Sequence, residues 1–406
     1  MPPLADTMQK HNLTVLIFAN FFVAASATMV LPFLSLYIET LGDFSDAYVQ
    51  RWSGFIFGIT FLVAFFVSPL WGRFGDRFGR KKILLITGFG VAISLFLMSF
   101  VTSVLQLFFL RMFMGVVTGF IPTSMALISA QTKKEDAGRV LGTLQMGTLS
   151  GGLFGPLFGG LLADSVGFIY TFSITAVGIC LATILVGWGV HEIRTKKMVQ
   201  KARKSMRDVI AFIWKDKLLV TIMLLSLIVQ TATFSIQPQL ALFVGTLLEG
   251  ENIAFLAGLA FSITGLGNLT ATRYLGILGD RHGHERVLIA CMIAAAIFYS
   301  PQAFVDSYLQ LVILRFLFGI AIGGIIPCVA AYIRLVTPTD IQGEVLGYNQ
   351  SFRFLGNVTG PALGGLIAGY YGLAGVFYLA TALLVVMAIY TLIVVIRQSK
   401  EERDHI

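Results

Sequence analysis

"GRFGDRFGRKK", residues 72–82, packs five positive charges and three glycines into eleven residues of a chain that is 56% hydrophobic and only 12% charged. Such a run can cradle a phosphate, hold nucleic acid or turn the chain at a membrane surface. Its surroundings separate these readings. Apolar segments 54–71 and 83–102 flank it, and others recur at 13–38, 105–130, 140–163, 169–190, 218–243, 254–272, 287–304, 309–333, 345–369 and 373–396. Each is near or above the roughly 20 residues that cross about 30 Å of hydrocarbon as a helix. A mean hydropathy of +0.84 and 35 Phe lie outside the range of soluble domains. An all-α integral membrane protein with twelve transmembrane helices is therefore expected, and the even count puts both termini on one side.

Charge is sorted by loop. The segments around 72–82, 131–139, 191–217, 279–286 and 334–344, with both tails, carry nearly all the Lys and Arg, whereas the alternate loops carry only Arg51. The positive-inside rule then makes the basic loops and both termini cytoplasmic. Charge spread over alternate loops excludes a nucleic-acid domain, despite a net +8. The first segment follows twelve mostly polar residues, is too long for a signal-peptide core and is read as retained. Cys180, Cys291 and Cys328 fall inside apolar segments and form no disulfide framework. There is no Gly-Lys pair, hence no P-loop. The five His sit in loops or tails, so no cofactor, metal site or enzymatic cluster is expected.

The chain is written twice. "GRFGDRFGRKKIL" (72–84) matches "GILGDRHGHERVL" (276–288), "LQLFFLRMFMG" (105–115) matches "LQLVILRFLFG" (309–319), and "GPLFGG" (155–160) matches "GPALGG" (360–365). Between the copies, 191–217 holds nine basic residues and reads as a cytoplasmic connector lying on the anionic leaflet. The division is a six-helix bundle over 1–190, a linker over 191–217, and a second bundle with the tail over 218–406.

The loop at 72–82 resembles the signature loop of the major facilitator superfamily, and the repeat, the helix count and the basic connector fit the same family. The resemblance implies two pseudo-symmetric six-helix bundles working by alternating access. It makes Gly72, Asp76, Arg77, Gly79, Arg80 and Lys81, with Gly276, Asp280, Arg281 and Gly283 of the second copy, a gating loop. Gly72 and Gly75 would let helix ends approach and Gly79 would allow the turn. Asp76, Arg77 and Arg80 would face Asp340 and Glu344 at the start of the eleventh helix, and Asp280 would face Arg139 at the start of the fifth. A plain positive-inside anchor is the competing reading of the loop.

The fifth segment, with Gly142, Gly151, Gly155, Pro156, Gly159 and Gly160, resembles the motif of twelve-helix drug/proton antiporters. Gly151, Gly155 and Gly159 share one helix face, a smooth seam for a neighbour. "LRMFMG" (110–115) resembles a further motif whose Arg, here Arg111, takes part in proton transfer, with Met114 where Gln is common. Glu39, Asp76 and Arg111 are the candidates for proton coupling, since none of the 21 acids lies clearly at mid-depth. Gln230, Gln237, Gln239, Asn349, Gln350 and Arg353 are the polar candidates for a substrate cavity. The resemblance implies a monomeric exporter of small amphiphilic drugs in exchange for protons, in a bacterial cytoplasmic membrane. Proton-coupled import of a metabolite such as a sugar, and a receptor or scaffold that transports nothing, stay open.

Overall fold

The computed structural model describes residues 3–132, 136–192, 206–248, 250, 252–338 and 341–404 and, within them, all side chains but those of 3–7, 76, 137–138 and 399–404. Regular structure among these residues is helical: α1 (Pro3–Met29), α2 (Leu34–Glu39), α3 (Asp46–Phe78), α4 (Arg80–Met98), α5 (Val104–Val116), α6 (Phe120–Gln131), α7 (Ala137–Val166), α8 (Phe168–Gly189), α9 (Met206–Lys215), α10 (Lys217–Ser235), α11 (Leu240–Leu247), α12 (Ile253–His282), α13 (His284–Tyr299), α14 (Tyr308–Ile322), α15 (Ile325–Val336), α16 (Gln342–Tyr371) and α17 (Leu373–Asp404).

Four segments that hydropathy reads as single rods are broken. Three-residue 3₁₀ turns, Leu31–Phe33 and Gln237–Gln239, separate α1 from α2 and α10 from α11. Pro32 and Pro238 sit in these turns, and a ring without an N–H cannot continue the hydrogen-bond ladder. The stretches 105–130 and 309–333 break between α5 and α6 and between α14 and α15, each at a glycine, Gly119 and Gly324. Both copies thus break the same two spans.

Eleven helical stretches among the described residues are long and apolar enough to cross a membrane. The twelfth long helix, α16, has 30 residues and so runs about 45 Å, yet it is not among them. Its segment 345–369 was expected to be apolar. Asn349, Gln350, Arg353 and Asn357, with six glycines from Gly343 to Gly365, lower its hydropathy.

The chain groups into two units. One comprises Met1–Phe44, Phe55–Val199 and Glu249–Leu259, the other Ser45–Gly54, Gln200–Leu248 and Ala260–Ile406. The first nine residues of α3 are therefore grouped with the second unit, and the first seven of α12 with the first. In the first unit the most extensive helix pairing is α1 on α7, and in the second it is the repeat-equivalent α10 on α16. Amphipathic α9 buries Val209 and Ile213 and exposes Met206 and Trp214; the rest of the connector, 193–205, lies outside the described residues.

The two loops expected to gate are single-residue turns. Gly79 (φ 103°) joins α3 to α4 and Gly283 (φ 94°) joins α12 to α13, a backbone region in which a Cβ is strained. Gly72 and Gly75 do not have the role expected of them. A Cβ on Gly72 would meet nothing, and on Gly75 it would make only ordinary contact with Arg80 and Ile83.

Candidate functional site

The glycines of α7 form a seam against α1. A Cβ on Gly147, Gly151, Gly155 or Gly159 would run into the backbone at Ile17, Phe21, Ala25 and Met29 respectively, one contact per helical turn. Small residues at this spacing let two helix backbones touch and gain dispersion contacts along their length. Gly160 projects off that face and abuts the Ala254 carbonyl on α12, while Gly258 of α12 abuts the carbonyl of Pro156. Gly142 is exposed and a Cβ there would meet nothing.

The second unit repeats this construction. Gly356, Gly360 and Gly364 of α16 touch Leu227, Thr231 and Ser235 of α10, the equivalents of Phe21, Ala25 and Met29. Gly365 touches Gln50 and Gly54 touches Pro361, matching the pairs made by Gly160 and Gly258. Against so close a correspondence the differences stand out. Gly147 becomes Phe352, Thr148 becomes Arg353, Gly152 becomes Asn357 and Ala24 becomes Gln230.

These substitutions make α16 and α10 polar along one edge. Gln230 Nε2 donates to Asn357 Oδ1 at 2.7 Å, and the hydroxyls of Thr231 and Thr359 are 2.8 Å apart. One turn away, half-buried Arg353 donates from Nη1 to Gln350 Oε1 at 3.1 Å. Asn349, 8% exposed, has an Oδ1 without a hydrogen-bond partner among the described residues. Of the other cavity candidates, Gln237 folds back onto Thr233 O at 3.2 Å. Gln239 is fully buried and donates to Gln50 O at 3.1 Å. Asn357 was missed by sequence reasoning; its signal was the departure from Gly152 in the repeat.

The loop at 72–82 is tied down by a residue read as mere linker. Glu192, just after α8, accepts from Arg80 N at 2.7 Å and Lys81 N at 3.2 Å. Its carboxylate thus closes the positive N-terminus of α4. Arg80 Nη1 also donates to Ala126 O at 2.6 Å. Neighbouring His191 exchanges bonds with buried Asn12, N to Oδ1 at 2.9 Å and O from Nδ2 at 2.8 Å. Gln131 joins them. Glu192→Ala is expected to cost about 1 kcal/mol, read as a fall of a few degrees in the melting temperature of the purified protein.

In the second copy Asp280 Oδ1 lies 3.5 Å from His284 Nε2. His284 is not a loop histidine as expected: it opens α13 and is 5% exposed. Arg77 is exposed and stacks over Phe78 at 5.2 Å, and Arg139, Arg281 and Asp280 are exposed. Glu344 lies in the first turn of α16. The Asp76 side chain and Asp340 lie outside the described residues. Glu39 is exposed at the end of α2.

Arg111 and its repeat equivalent Arg315 are 2% and 1% exposed. In both, Nε and Nη2, the edge that matches a carboxylate, lack a hydrogen-bond partner among the described residues. Each has a buried tyrosine in its neighbourhood whose hydroxyl donates to a helix carbonyl. Tyr37 donates to Met98 O at 2.7 Å and Tyr299 to Ala232 O at 3.1 Å. At the ends of the helices far from the basic loops, Asp164 caps α12, accepting from Phe255 N at 2.7 Å and Ala254 N at 3.3 Å. The equivalent contact in the other unit is Arg51 over the Tyr370 ring at 4.2 Å.

Comparison with known proteins places this architecture. The family model described as Major Facilitator Superfamily matches residues 16–250 and 252–405. "Uncharacterized MFS-type transporter YuxJ" of Bacillus subtilis is 57% identical over 366 residues, 90% of this chain and 93% of that protein. "Multidrug resistance protein MdtG" of Dickeya zeae is 38% identical over 97% of this chain and 96% of its own length; that of Salmonella typhimurium is 39% identical over 94% and 95%. Among solved structures, a bacterial homologue of the lysosomal transporter Spinster, inward-facing and occupied, aligns with a TM-score of 0.81 at 13% identity over 95% of this chain and 97% of that one. The nucleoside transporter NupG aligns at 0.76 and 16% identity over 95% and 98%. With its helical repeat, its broken spans and this match along nearly its whole length, the chain belongs to the major facilitator superfamily and is a multi-pass membrane transporter of small molecules, not an enzyme.

Proposed function

We propose that this protein exports amphiphilic drugs in exchange for protons from a bacterial cytoplasmic membrane, as a monomer with both termini cytoplasmic. The observation that carries the reading is the α7 motif. Four of its five glycines are used in backbone contacts, three against α1 and one against α12, in a chain similar over 94–97% of its length to proteins named for multidrug resistance. In this reading bundles 1–190 and 218–406 rock about the linker 191–217. The contacts that Asp164 and Arg51 make with α12 and α16 break in one half of the cycle. At the basic side Asp76, Arg77 and Arg80 would engage Asp340 and Glu344, and Asp280 would engage Arg139, in the other half. Glu39, Asp76 and Arg111 are the groups proposed for proton coupling.

The test is ethidium accumulation in cells expressing the chain, with and without a protonophore. Expression should lower accumulation, and the protonophore should abolish the difference. Accumulation raised by expression would mean import, and a difference that survives the protonophore would rule out proton drive.

A further inference from the structure

We infer that the polar edge of α16 and α10, centred on Arg353 with Asn357 and Gln230, is a binding site for the anionic group of an amphiphilic substrate; this rests on the chain handling amphiphiles, as proposed above, and adds their charge. The argument is the comparison that the molecule makes with itself. Both units need the glycine seam to pack, and both have it. Whatever the second copy adds beyond that is not demanded by packing, because the first copy packs without it. It adds a guanidinium and two carboxamides, at positions where the first has Thr148, Gly152 and Ala24.

The geometry gives these groups somewhere to act. In α7 the seam extends to Gly147, which touches Ile17; in α16 that position is Phe352, and one turn and a half beyond it Gly347 is exposed, with nothing in reach of a Cβ. The seam of α16 on α10 is thus one contact shorter and ends at Gly356, beside Asn357. Arg353 stands at this mouth, half-buried. It is eleven residues into a thirty-residue helix, roughly 17 Å along its axis. A charge at such depth is costly unless paired. Among the described residues Arg353 donates to the neutral Gln350 and no carboxylate is paired with it. The Gln230–Asn357 pair lies one turn further in, so a carboxylate held by the guanidinium would find a carboxamide beside it. Planar, bidentate recognition of this kind is what Arg does and Lys does less well.

The experiment is equilibrium binding to the purified full-length chain in micelles, with two fluorescent aromatic probes of opposite charge, fluorescein as the aromatic carboxylate and ethidium as the cation. Fluorescence anisotropy reads both. Arg353→Gln should weaken fluorescein binding by about tenfold or more while changing ethidium binding by less than about twofold. Arg353→Lys should keep part of the fluorescein affinity, and Asn357→Ala should weaken fluorescein by about threefold. Retained ethidium binding shows that each variant is folded. The inference is overturned if fluorescein binds the unaltered chain no better than it binds Arg353→Gln, or if both probes weaken equally. Binding needs neither a gradient nor a direction, so the result stands apart from the accumulation assay: an importer with this site would give the same anisotropy, and an exporter without it would not.

Discussion

Gly155→Val should remove the protein from the membrane, whereas Gly142→Val, in the same motif and the same helix, should leave its amount and activity nearly unchanged. A Cβ on Gly155 would lie 2.5 Å from the Ala25 carbonyl oxygen and 2.7 Å from its Cα. Backbone on both sides cannot step aside as a side chain can. Forcing α1 and α7 apart would break the longest pairing of the first unit, at a cost of roughly 3 kcal/mol or more. Gly142 faces open space, so a side chain there displaces nothing. Gly364 and Gly347 should behave in the same two ways in the second unit. Membrane abundance by immunoblot, normalised to transcript, reads the difference. Equal abundance of Gly155→Val and Gly142→Val would mean that the seam is not what holds the helices together.

Arg315→Met should give the opposite dissociation, a protein that is as stable as before or more so but transports at least about tenfold less. Met nearly conserves the volume of the aliphatic stem, and removing a buried cation whose Nε and Nη2 have no hydrogen-bond partner among the described residues relieves desolvation; replacing even buried ion pairs by apolar groups of similar volume is often neutral or stabilising by about 1–4 kcal/mol. If folding does not need the charge, its presence in both copies points to the working cycle. Arg111→Met should behave likewise. Melting temperature of the purified variants and ethidium efflux from energised cells read the two sides. A lower melting temperature with unimpaired efflux would make both arginines structural braces.

How much of this could be read from the residues depends on what kind of information each feature carries. Helix number, the repeat and the sorting of charge are properties of the residues along the chain and can be read there, although α16 falls short of a spanning hydropathy and is recovered through its match to the first copy. The seam was half legible. Gly151, Gly155 and Gly159 share a face by spacing, but nothing in spacing tells that Gly160 turns towards α12. The glycines at 72 and 75 were misread because a small residue signals permission for contact, not contact itself. Glu192 was hidden by the basic stretch that follows it, since capping a helix over a hundred residues away is a tertiary fact. Asn357 sat in the segment read as apolar. Setting the two copies side by side, position by position, was the signal that could have found it.

The polarity of α16 also bears on how the chain enters the membrane. As a nascent segment it would partition poorly into lipid, because its stretch is not among those apolar enough to span and a guanidinium near the middle adds a few kcal/mol to the cost of insertion. The next helix is the opposite case: Leu373–Gln398 has the highest hydropathy of all the spans, 2.8. Only Gly372, at φ 77°, separates the two. Biogenesis is therefore expected to deliver α16 and α17 together as a helical hairpin, with the greasy second arm drawing in the polar first one. The helix that carries the proposed recognition chemistry thus depends, for reaching the bilayer at all, on a neighbour that carries none.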